Sequence, residues 1–447
     1  MTFACPIDYM KVWGALVVSI RKKGFSLTER VACVVLAGGQ GTRLFPLTRS
    51  RCKPAVCFGG RYRLIDVPIS NSLNSNMKRV FVISQYFSSG LNRHLQETYH
   101  LDQFQGGSLV LLNPEMRPGG RVWYEGTADA VRKNIDLLTK LPVDYFLILS
   151  GDQLYNMDLA SMILFAHERD SDLTVGVIPV GHVEAPRLGL LNVDREANIL
   201  DFCEKPANEE LLKRFEMPEH FLKRGDFLCS DPPWFLASMG VYVFKKEALI
   251  DLLAQDGRND FGKHVIPSQL ERGRSTAFIH PGYWRDIGTI SSFYRANLSL
   301  TANSLGLNLY NEAFPIYTHN HYLPGARIAK TEVRNSIISD GAVVEARRIT
   351  RSIIGVRNVI KEGAEIHDSV LLGNEYYSAP RDPSRCYTIG KDCHIERAII
   401  DENVIIGNNV RLTNKDKHTH YDGDGVFVRE GITIIASGTT LPDNFSF

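Results

Sequence analysis

The sequence carries almost no net charge. Among its 447 residues, 51 lysines and arginines stand against 50 aspartates and glutamates, which gives a formal charge of +1. Proteins that bind nucleic acids or anionic membranes through bulk electrostatics usually have a basic excess, and this chain has none. We therefore expect no nucleic-acid partner and no membrane partner, and any anion site must be local.

Cysteine is sparse and is never arranged as a C-x-x-C pair. The eight cysteines mostly lie inside apolar stretches. This pattern disfavours a disulfide framework and a cysteine zinc site, and it suits reduced thiols. We expect a reducing compartment, the cytoplasm.

Long apolar runs are absent as well. The most hydrophobic early segment, VWGALVVSI at 12–20, is too short to span a bilayer. Its basic cluster at 21–23 follows it, which is the reverse of a signal peptide. Residues 1–30 are interpreted as an N-terminal extension.

Up to about residue 300, short β-rich runs alternate with helical patterns. This alternation predicts an α/β domain over 31–300, a sheet with helices on both faces. Thr127 is expected to cap a helix whose buried face includes Ala128, Val131, Ile135 and Leu138. The five predicted strands are VACVVLA from Val31, RVFVIS from Arg79, DYFLILS from Asp144, LTVGVIPV from Leu173 and MGVYVF from Met239.

Beyond a linker at 301–320, the apolar period changes to six residues, over 321–447. Hexads of aliphatic residues are typical of a parallel β-helix, in which stacked coils align side chains in columns. A β-sandwich with coincidental spacing is the alternative. The runs are Ile337, Val343 and Ile349; Ile354, Ile360, Ile366 and Leu372; Ile389 and Ile395; Ile400, Ile406 and Leu412; and Val428, Ile434 and Thr440.

A glycine-rich loop follows the first predicted strand in VVLAGGQGTRLFPLT, residues 34–48. Such loops present backbone N–H groups to phosphate oxygens. The third glycine of a dinucleotide-binding loop and the Lys-Ser or Lys-Thr pair of a P-loop are both missing. With Arg43 and Lys53 as local cations, the loop suits a polyphosphate that leaves with growing negative charge. A purely structural turn is the alternative.

Three further loops carry charged side chains. Asp152 directly follows the predicted buried strand YFLILS, at the sheet edge where open α/β proteins bind ligands. Carboxylate oxygens are the ligands Mg²⁺ prefers, so Asp152 is a candidate metal ligand. Glu204 and Lys205 in FCEKP and Asp286 in GYWRDIGT add an ion pair and a second acid. Together these loops predict a site for two phosphate-bearing ligands and one metal ion.

Several longer stretches resemble glucose-1-phosphate adenylyltransferase from about residue 31 to the C-terminus. They are LAGGQGTRLFPLT, RCKPAVCFGGRYRLIDVPISNSLNS, WYEGTADAV, LSGDQLYNMD, FCEKPAN, ASMGVYVF and YWRDIGT, followed by the hexads. The resemblance implies a Rossmann-like nucleotidyltransferase domain with a mixed sheet and a left-handed β-helix. It also implies the Mg²⁺-dependent reaction of ATP with α-D-glucose 1-phosphate to ADP-glucose and pyrophosphate, the committed step of glycogen or starch synthesis, in a homotetramer. Bacterial cytosol is favoured over plastid stroma.

The family's site residues fall on matching positions. The resemblance implies Asp152 and Asp286 as the Mg²⁺ ligands, with Asp152, Arg43 and Lys53 acting in catalysis. The implied ATP-binding residues are Gly38, Gly39, Gly41, Arg43 and Gln85, and those for glucose 1-phosphate are Tyr124, Gly189, Glu204, Lys205 and Ser238.

Two positions depart from the family pattern. Ser50 stands where many members have a cation that binds a phosphorylated activator, and a C-terminal lysine is replaced near Ala436 and Ser437. A phosphorylated effector bound between the two domains is still expected. The cations available for it are Arg49, Arg51, Arg61, Arg385 and Arg429.

Two other functions stay open at this point. A hexapeptide-repeat acyltransferase would use His367 or His394 as its base, and release of coenzyme A from acetyl-coenzyme A would reveal it. A regulatory subunit with a decayed site is the second, and an assay of the pure chain distinguishes it. The presence of Arg43, Lys53, Asp152 and Lys205 argues against decay.

Overall fold

The computed structural model describes residues 27–117, 120–121, 123–217, 233–302, 306–377 and 387–447. Positions 1–26 of the predicted N-terminal extension, and Arg385 of the predicted effector pocket, lie outside these residues. Within the extension, Leu27–Arg30 forms a single 3-10 turn that leads directly into the first strand.

Within the described residues, the N-terminal half is built on a mixed nine-stranded sheet, and three small two-stranded sheets accompany it. All five strands predicted from sequence are present. The last of them starts at Trp234, five residues earlier than expected. The strands are β1 Val31–Leu36, β2 Cys57–Phe58, β3 Tyr62–Arg63, β4 Arg79–Ile83, β5 Ser108–Leu112, β6 Met116–Arg117, β7 Gly120–Arg121, β8 Tyr145–Ser150, β9 Gln153–Tyr155, β10 Leu173–Gly181, β11 Gly189–Val193, β12 Ile199–Glu204, β13 Trp234–Lys245, β14 Ser275–Ile279 and β15 Trp284–Asp286.

The main sheet is parallel at one end and antiparallel at the other. Its order is β12-β11-β13-β8-β1-β4-β5, and β10 pairs with both β13 and β14. The pairs β8-β1, β1-β4 and β4-β5 are parallel, whereas β13 runs antiparallel to β8, β10 and β11. The carboxyl ends of the parallel strands β1 and β8 therefore lie at the same edge of the sheet, and the loops that follow them meet there.

Helices connect the strands and cover both faces of the sheet. They are Asp66–Asn74, Ser88–Thr98, Thr127–Arg132, Ile135–Leu138, Leu159–Glu168, Glu209–Arg214, Lys246–Gln255, Ile266–Leu270 and Ile290–Ser299, with a π-helical turn at Phe261–Val265.

The period of two along β1 divides its side chains between two hydrophobic cores. Cys33 and Val35 belong to the core that also holds residues of the C-terminal half, and Ala32 and Val34 belong to the other. All four are fully buried. A strand that is apolar on both faces is what a doubly covered sheet requires, and this explains why β1 reads as a continuous apolar run.

The predicted cap at Thr127 is wrong. The N-cap is Gly126, and Thr127 is the first helical residue, with a hydroxyl that accepts a hydrogen bond from the Phe261 amide at 3.1 Å. A Cβ on residue 126 would lie 2.1 Å from the Asn259 carbonyl oxygen. Close backbone approach, rather than side-chain capping, therefore decides where this helix begins. The helix also breaks between Arg132 and Ile135.

The C-terminal half is a parallel β-helix, as the hexads predicted. Its strands form three stacks of short parallel strands, and an antiparallel hairpin is inserted before the last coil. The strands are β16 Arg327–Ile328, β17 Glu332–Arg334, β18 Ile337–Ile338, β19 Val343–Val344, β20 Arg348–Thr350, β21 Ile353–Ile354, β22 Val359–Ile360, β23 Glu365–His367, β24 Val370–Leu371, β25 His394–Glu396, β26 Ala398–Ile400, β27 Ile405–Ile406, β28 Arg411–Leu412, β29 His420–Asp422, β30 Val426–Arg429, β31 Ile432–Ile435 and β32 Thr440–Leu441.

The hexad register is off by one at several positions. Ile338, Val344, Leu371, Ile435 and Leu441 contribute to the interior of the β-helix. The predicted inward residues there were their neighbours, Ile337, Val343, Leu372, Ile434 and Thr440. Adjacent strand residues point to opposite faces, so an apolar doublet leaves the inward residue undecided.

The apolar doublets of the β-helix place side chains in two different cores. Ile354 and Ile400 point into the β-helix, whereas Ile353 and Ile399 belong to the core shared with the N-terminal half. One stack of strands is therefore buried on both faces, because its outer face packs against the N-terminal half. This packing fixes the β-helix to the α/β domain by apolar contact.

A buried ion-pair cluster joins the two halves beside this core. Arg51 Nη2 lies 2.5 Å from Asp401 Oδ1, and Arg51 Nη1 lies 2.7 Å from Glu402 Oε2. The Arg51 side chain is 9 % exposed and that of Asp401 is 1 % exposed. Both guanidinium edges are thus occupied by carboxylates of the β-helix.

Candidate active site

The glycine loop begins where β1 ends. Gly41 has a φ of 65°, in the left-handed region that glycine adopts without strain. A Cβ there would lie 2.9 Å from the Lys53 Cβ and 3.0 Å from Thr48 Cγ2. The Thr48 hydroxyl also donates to the Gly41 carbonyl oxygen at 2.9 Å. Gly41 therefore lets the loop lie directly against Lys53.

Gln85, at the end of the next strand, ties this loop to the WYEGTADAV segment. Its Nε2 donates to the carbonyl oxygens of Gly38 and Tyr124, at 3.3 and 3.2 Å, and its Oε1 accepts from the Tyr124 amide at 3.0 Å. The amide side chain is thereby oriented by backbone on both sides. Gln85 therefore holds the glycine loop against this segment, and its contact with ATP stays a prediction.

Tyr124, a predicted contact of glucose 1-phosphate, packs inside the α/β domain. Its side chain is buried in the core, and its hydroxyl accepts a hydrogen bond from Asn134 Nδ2 at 3.0 Å. These contacts give Tyr124 a structural role. Its contact with glucose 1-phosphate stays a prediction.

Asp152 stands immediately after β8 and is held from two sides. Lys53 Nζ lies 2.5 Å from its Oδ2, and the Ser150 hydroxyl donates to its Oδ1 at 2.5 Å. Lys53 is brought there by the turn Lys53–Ala55, which follows the glycine loop. A cation from one loop and a carboxylate from another thus meet at the edge of the sheet.

Asp286 reaches the same place through a separate small sheet. Its strand β15 pairs antiparallel with β9, and the register sets Asp286 opposite Gln153, the residue after Asp152. Arg43 is also close, because a Cβ on Gly288 would lie 2.7 Å from Asp286 Oδ2 and 3.6 Å from Arg43 Nη1. Arg43, Lys53, Asp152 and Asp286 therefore form one cluster.

The two carboxyl groups of this cluster have pKa values shifted in opposite directions. Burial opposes the charge of Asp152, but the charge and hydrogen bond of Lys53, the hydrogen bond of Ser150 and the charge of Arg43 together lower the pKa of Asp152. Burial and then the negative charge of Asp152 raise the pKa of Asp286. A pair of half-buried carboxylates that repel each other is a chemically suitable donor set for a divalent cation, which removes this repulsion. Asp152 and Asp286 therefore fit the predicted Mg²⁺ ligands.

Glu204 and Lys205 form a second cluster at the end of β12. Glu204 Oε1 lies 3.1 Å from Lys205 Nζ. The other oxygen, Oε2, occupies space that a Cβ on Gly189 or on Gly262 would approach to 2.7 and 2.6 Å. Gly189 is opposite Glu204 in the β11-β12 pair. These two glycines thus make room for the Glu204 carboxylate.

Lys205 adopts a left-handed backbone conformation that residues other than glycine rarely take. Its φ is 53°, and such local strain is concentrated at functional sites. The side chain is 54 % exposed. Its positive charge also favours the ionised form of Asp286, so the second cluster faces the first.

Ser238 lies beside a bulge in β13. The register against β10 shifts between Gly176 and Val177, and Gly240 has a φ of 69°. A Cβ on Gly240 would lie 2.9 Å from Gln153 Nε2. Bulges redirect side chains next to active sites, and this one brings the strand that carries Ser238 against the residue after Asp152.

Two residues of the site were missed by the sequence analysis. Gln153 is buried, and its Oε1 accepts from Trp284 Nε1 at 3.3 Å, which links β9, the strand that follows Asp152, to β15, the strand that carries Asp286. Gly262 accommodates Glu204 from a π-helical turn, a feature common at functional sites. The position of Gln153 after Asp152 was a usable signal, whereas nothing in the local sequence marks Gly262.

A cleft leads from the glycine loop to the inserted hairpin of the β-helix. Arg43 and Arg429 both line it, and Arg429 Nη2 lies 2.6 Å from Asp422 Oδ1. Of the cations expected around an effector, Arg51 is ion-paired as described, and Arg61 Nη1 lies 3.0 Å from Asp340 Oδ2. The lining residues are Gln40, Thr42, Arg43, Phe45, Thr48, Thr289, Ile290, Thr419, His420, Arg429 and Glu430.

Within the part of the chain described above, no helix has both the length and the apolar content that crossing a membrane requires.

The five cysteines described there, Cys33, Cys52, Cys57, Cys203 and Cys393, are all free thiols.

Two family models match the chain. The model of the nucleotidyl transferases matches residues 32–303, and the model of the GLGC left-handed parallel beta-helix domain matches residues 321–445. The second match confirms the predicted handedness of the β-helix.

Proposed function

The chain belongs to the nucleotidyl transferase family, and we propose that it transfers the adenylyl group of ATP to α-D-glucose 1-phosphate, forming ADP-glucose and pyrophosphate. The support for this substrate pair is the joining of a nucleotidyl transferase domain to a GLGC β-helix, the architecture characteristic of glucose-1-phosphate adenylyltransferase. The product would serve glycogen or starch synthesis.

The observation that carries the proposal is the cluster of Arg43, Lys53, Asp152 and Asp286 beside an open glycine loop. The reaction needs cations around a triphosphate and two carboxylates that can share a metal ion. Mg²⁺, when bound by Asp152 and Asp286, supplies positive charge to the phosphates. The four side chains come from four separate segments of the chain, and only the fold brings them together.

In the proposed reaction, an oxygen of the glucose 1-phosphate phosphate attacks the α-phosphorus of ATP. The new O–P bond forms as the bond to the β-phosphate oxygen breaks, and the electron pair leaves with pyrophosphate. Arg43 and Lys53 stabilise the charge that develops on the leaving group. No covalent intermediate with the protein is required, because the fold can hold both substrates in line.

The second cluster suits the sugar phosphate. Lys205 offers an exposed point charge for its phosphate, and Glu204 offers carboxylate oxygens for sugar hydroxyls. Gly189 keeps space at Glu204, and Ser238 lies on the strand next to Gln153. This division assigns ATP to the glycine loop and glucose 1-phosphate to the loop after β12.

Assembly and regulation follow from the same proposal. We expect a homotetramer, and an effector that carries phosphate groups and binds in the cleft between the α/β domain and the inserted hairpin. Arg429 is the cation of the β-helix that lines this cleft. Arg51 contributes little free charge there, because two carboxylates already neutralise it.

The experiment that tests the proposed substrates is pyrophosphate release from glucose 1-phosphate with each of the four nucleoside triphosphates in turn. The pure chain is assayed alone, with Mg²⁺. We expect release with ATP at a rate well above that with the other three. A preference for UTP or for the deoxythymidine triphosphate would show that the base assignment is wrong.

A further inference from the structure

Four ionisable side chains form a compact group on the outer face of the β-helix, on two adjacent parallel strands. Glu365 and His367 lie on β23, and His394 and Glu396 lie on β25. The register pairs Glu365 with His394 and His367 with Glu396. Ile366 and Ile395 between them point inward, so all four polar side chains share the outer face.

The donor atoms converge on one oxygen of Glu365. Glu365 Oε2 lies 3.5 Å from His394 Nδ1 and 4.0 Å from His367 Nε2. The other carboxylate oxygen, Oε1, lies 3.1 Å from Arg347 Nη1. Arg347 thus orients the carboxylate so that Oε2 is presented to both imidazoles.

The spacing is close to that of a metal centre. One ligand atom each of Glu365, His367 and His394 lies within 4.8 Å of the others, and all three residues are half-buried. Tetrahedral ligands at zinc bond lengths stand about 3.3–3.6 Å apart, so small side-chain rotations complete the geometry. Among the described residues, this is the one group of three or more such side chains with this convergence.

We propose that Glu365, His367 and His394 bind one divalent transition-metal ion, of which Zn²⁺ is the best match. Two imidazole nitrogens and one carboxylate oxygen are zinc-type ligands, and a fourth position stays open to water. Glu396 Oε2 lies 4.0 Å from His394 Nε2, so it can orient that ring from the side away from the metal. The site lies outside the catalytic cluster and is independent of the proposed adenylyl transfer.

The rigid backbone of the β-helix makes the site preorganised. The parallel pairing of β23 with β25 fixes the distance between the two histidine-bearing strands. Bound metal would cross-link two successive coils, on either side of residues 372–388. It would therefore stabilise the β-helix when the ion is present.

The test is a metal titration of the full chain after treatment with a chelator. Zn²⁺ is followed by calorimetry, and Co²⁺ is followed by visible absorption, which reports nitrogen and oxygen ligands in a tetrahedral field. Millimolar Mg²⁺ is kept in the buffer so that it, and not Zn²⁺, occupies the carboxylates of Asp152 and Asp286. Mg²⁺ is a hard cation that binds imidazole poorly, so it leaves the two histidines free.

We expect one equivalent of Zn²⁺ and an increase in Tm on its addition. His367→Ala and His394→Ala should each weaken binding at least tenfold and abolish the increase in Tm, and Glu365→Gln should weaken binding less. His182→Ala is the matched control, since it removes an exposed histidine paired with a carboxylate at 3.2 Å on the other domain. Absence of stoichiometric binding, or equal binding by the wild type and both histidine variants, would overturn the proposal.

Discussion

Lys53 Nζ and Asp152 Oδ2 lie 2.5 Å apart although the two residues are 99 positions apart in the sequence. Gly41 packs on the Lys53 side chain, and Asp286 adds a second carboxyl group beside Asp152. The pair is therefore the centre around which the glycine loop and the candidate metal ligands are arranged. The site predictions depend on this arrangement.

The Asp152→Asn variant removes the charge of one candidate metal ligand but keeps its shape. We expect a folded protein whose kcat falls by orders of magnitude, because a misplaced metal ion also misplaces the phosphates. Steady-state kinetics at saturating substrates measures the effect, and circular dichroism checks the fold. A folded variant with nearly normal kcat would remove Asp152 from the metal site.

The Lys205→Gln variant separates the two substrate clusters. We expect the KM for glucose 1-phosphate to rise about tenfold or more, while the KM for ATP hardly changes, because we propose that Lys205 binds the phosphate of the sugar. Lys213→Gln is the control, since Lys213 is an exposed lysine on the helix that follows. Equal rises in both KM values for Lys205→Gln would contradict the assignment.

The Gly41→Ala variant tests whether the loop needs a residue that adopts the left-handed backbone conformation where it packs against Lys53. The added Cβ would meet the Lys53 Cβ at 2.9 Å in a backbone conformation that costs about 1–3 kcal/mol for other residues. We expect a loss of that size in the free energy of unfolding, measured by urea denaturation. Gly39→Ala is the control for stability, since no atom lies within 4 Å of a Cβ there. Equal stability of the two variants would show that the Gly41 conformation is not required.

His280 predicts a pH-dependent loss of stability. Burial lowers the pKa of His280 to about 4, and its Nε2 has no hydrogen-bond partner among the described residues. Because the folded pKa lies below the unfolded value, the stabilising contribution is complete above about pH 6.5 and is lost as the pH falls towards 4.

The measurement is the free energy of unfolding between pH 7 and 4.5 for the wild type and His280→Gln. In this window, the His280 contribution should fall by up to ~1.4 kcal/mol per pH unit. The free energy of unfolding of His280→Gln should therefore decline less steeply than that of the wild type as the pH falls. Identical pH profiles would mean that His280 titrates alike in the folded and unfolded states.

Ser50 predicts weak activation by phosphorylated metabolites. A neutral hydroxyl in place of Lys or Arg forgoes a charge-assisted hydrogen bond of about 1.5–3 kcal/mol, which corresponds to one to two decades of affinity. The neighbouring Arg51 is neutralised by Asp401 and Glu402. We expect fructose 1,6-bisphosphate and 3-phosphoglycerate to activate poorly.

Ser50→Lys should strengthen the response to at least one of the two compounds. The variant and the wild type are titrated with both at fixed subsaturating substrates, and Ser89→Lys places the same charge on an exposed helix position as a control. Strong activation of the wild type at micromolar concentrations, unaltered in Ser50→Lys, would place Ser50 outside the effector site.

The sequence predicted those parts of the fold that depend on period and on buried runs. β1, β8 and the hexads were found because their apolar pattern is long and regular. Which residue of each hexad points into the β-helix was predicted less well, since in doublets such as Ile434 and Ile435 both neighbours are apolar. Only packing against the α/β domain distinguishes them.

The candidate site shows the same limit. Asp152 and Lys53 could be singled out from loop chemistry, and the structure brings them together. Gly262 could not, because its role depends on how closely the turn approaches Glu204. Likewise, the hydrogen bond from Asn134 to the Tyr124 hydroxyl is a product of tertiary packing that the WYEGTADAV stretch does not reveal.

The most direct test of the account follows the α-phosphate of ATP. The pure chain is incubated with Mg²⁺, glucose 1-phosphate and ATP labelled with ³²P at the α-phosphorus, and the products are separated by chromatography. We predict that the label moves into ADP-glucose in the wild type and that Asp152→Asn transfers almost none. Label that stays in ATP, or that becomes covalently attached to the protein, would contradict direct adenylyl transfer at this site.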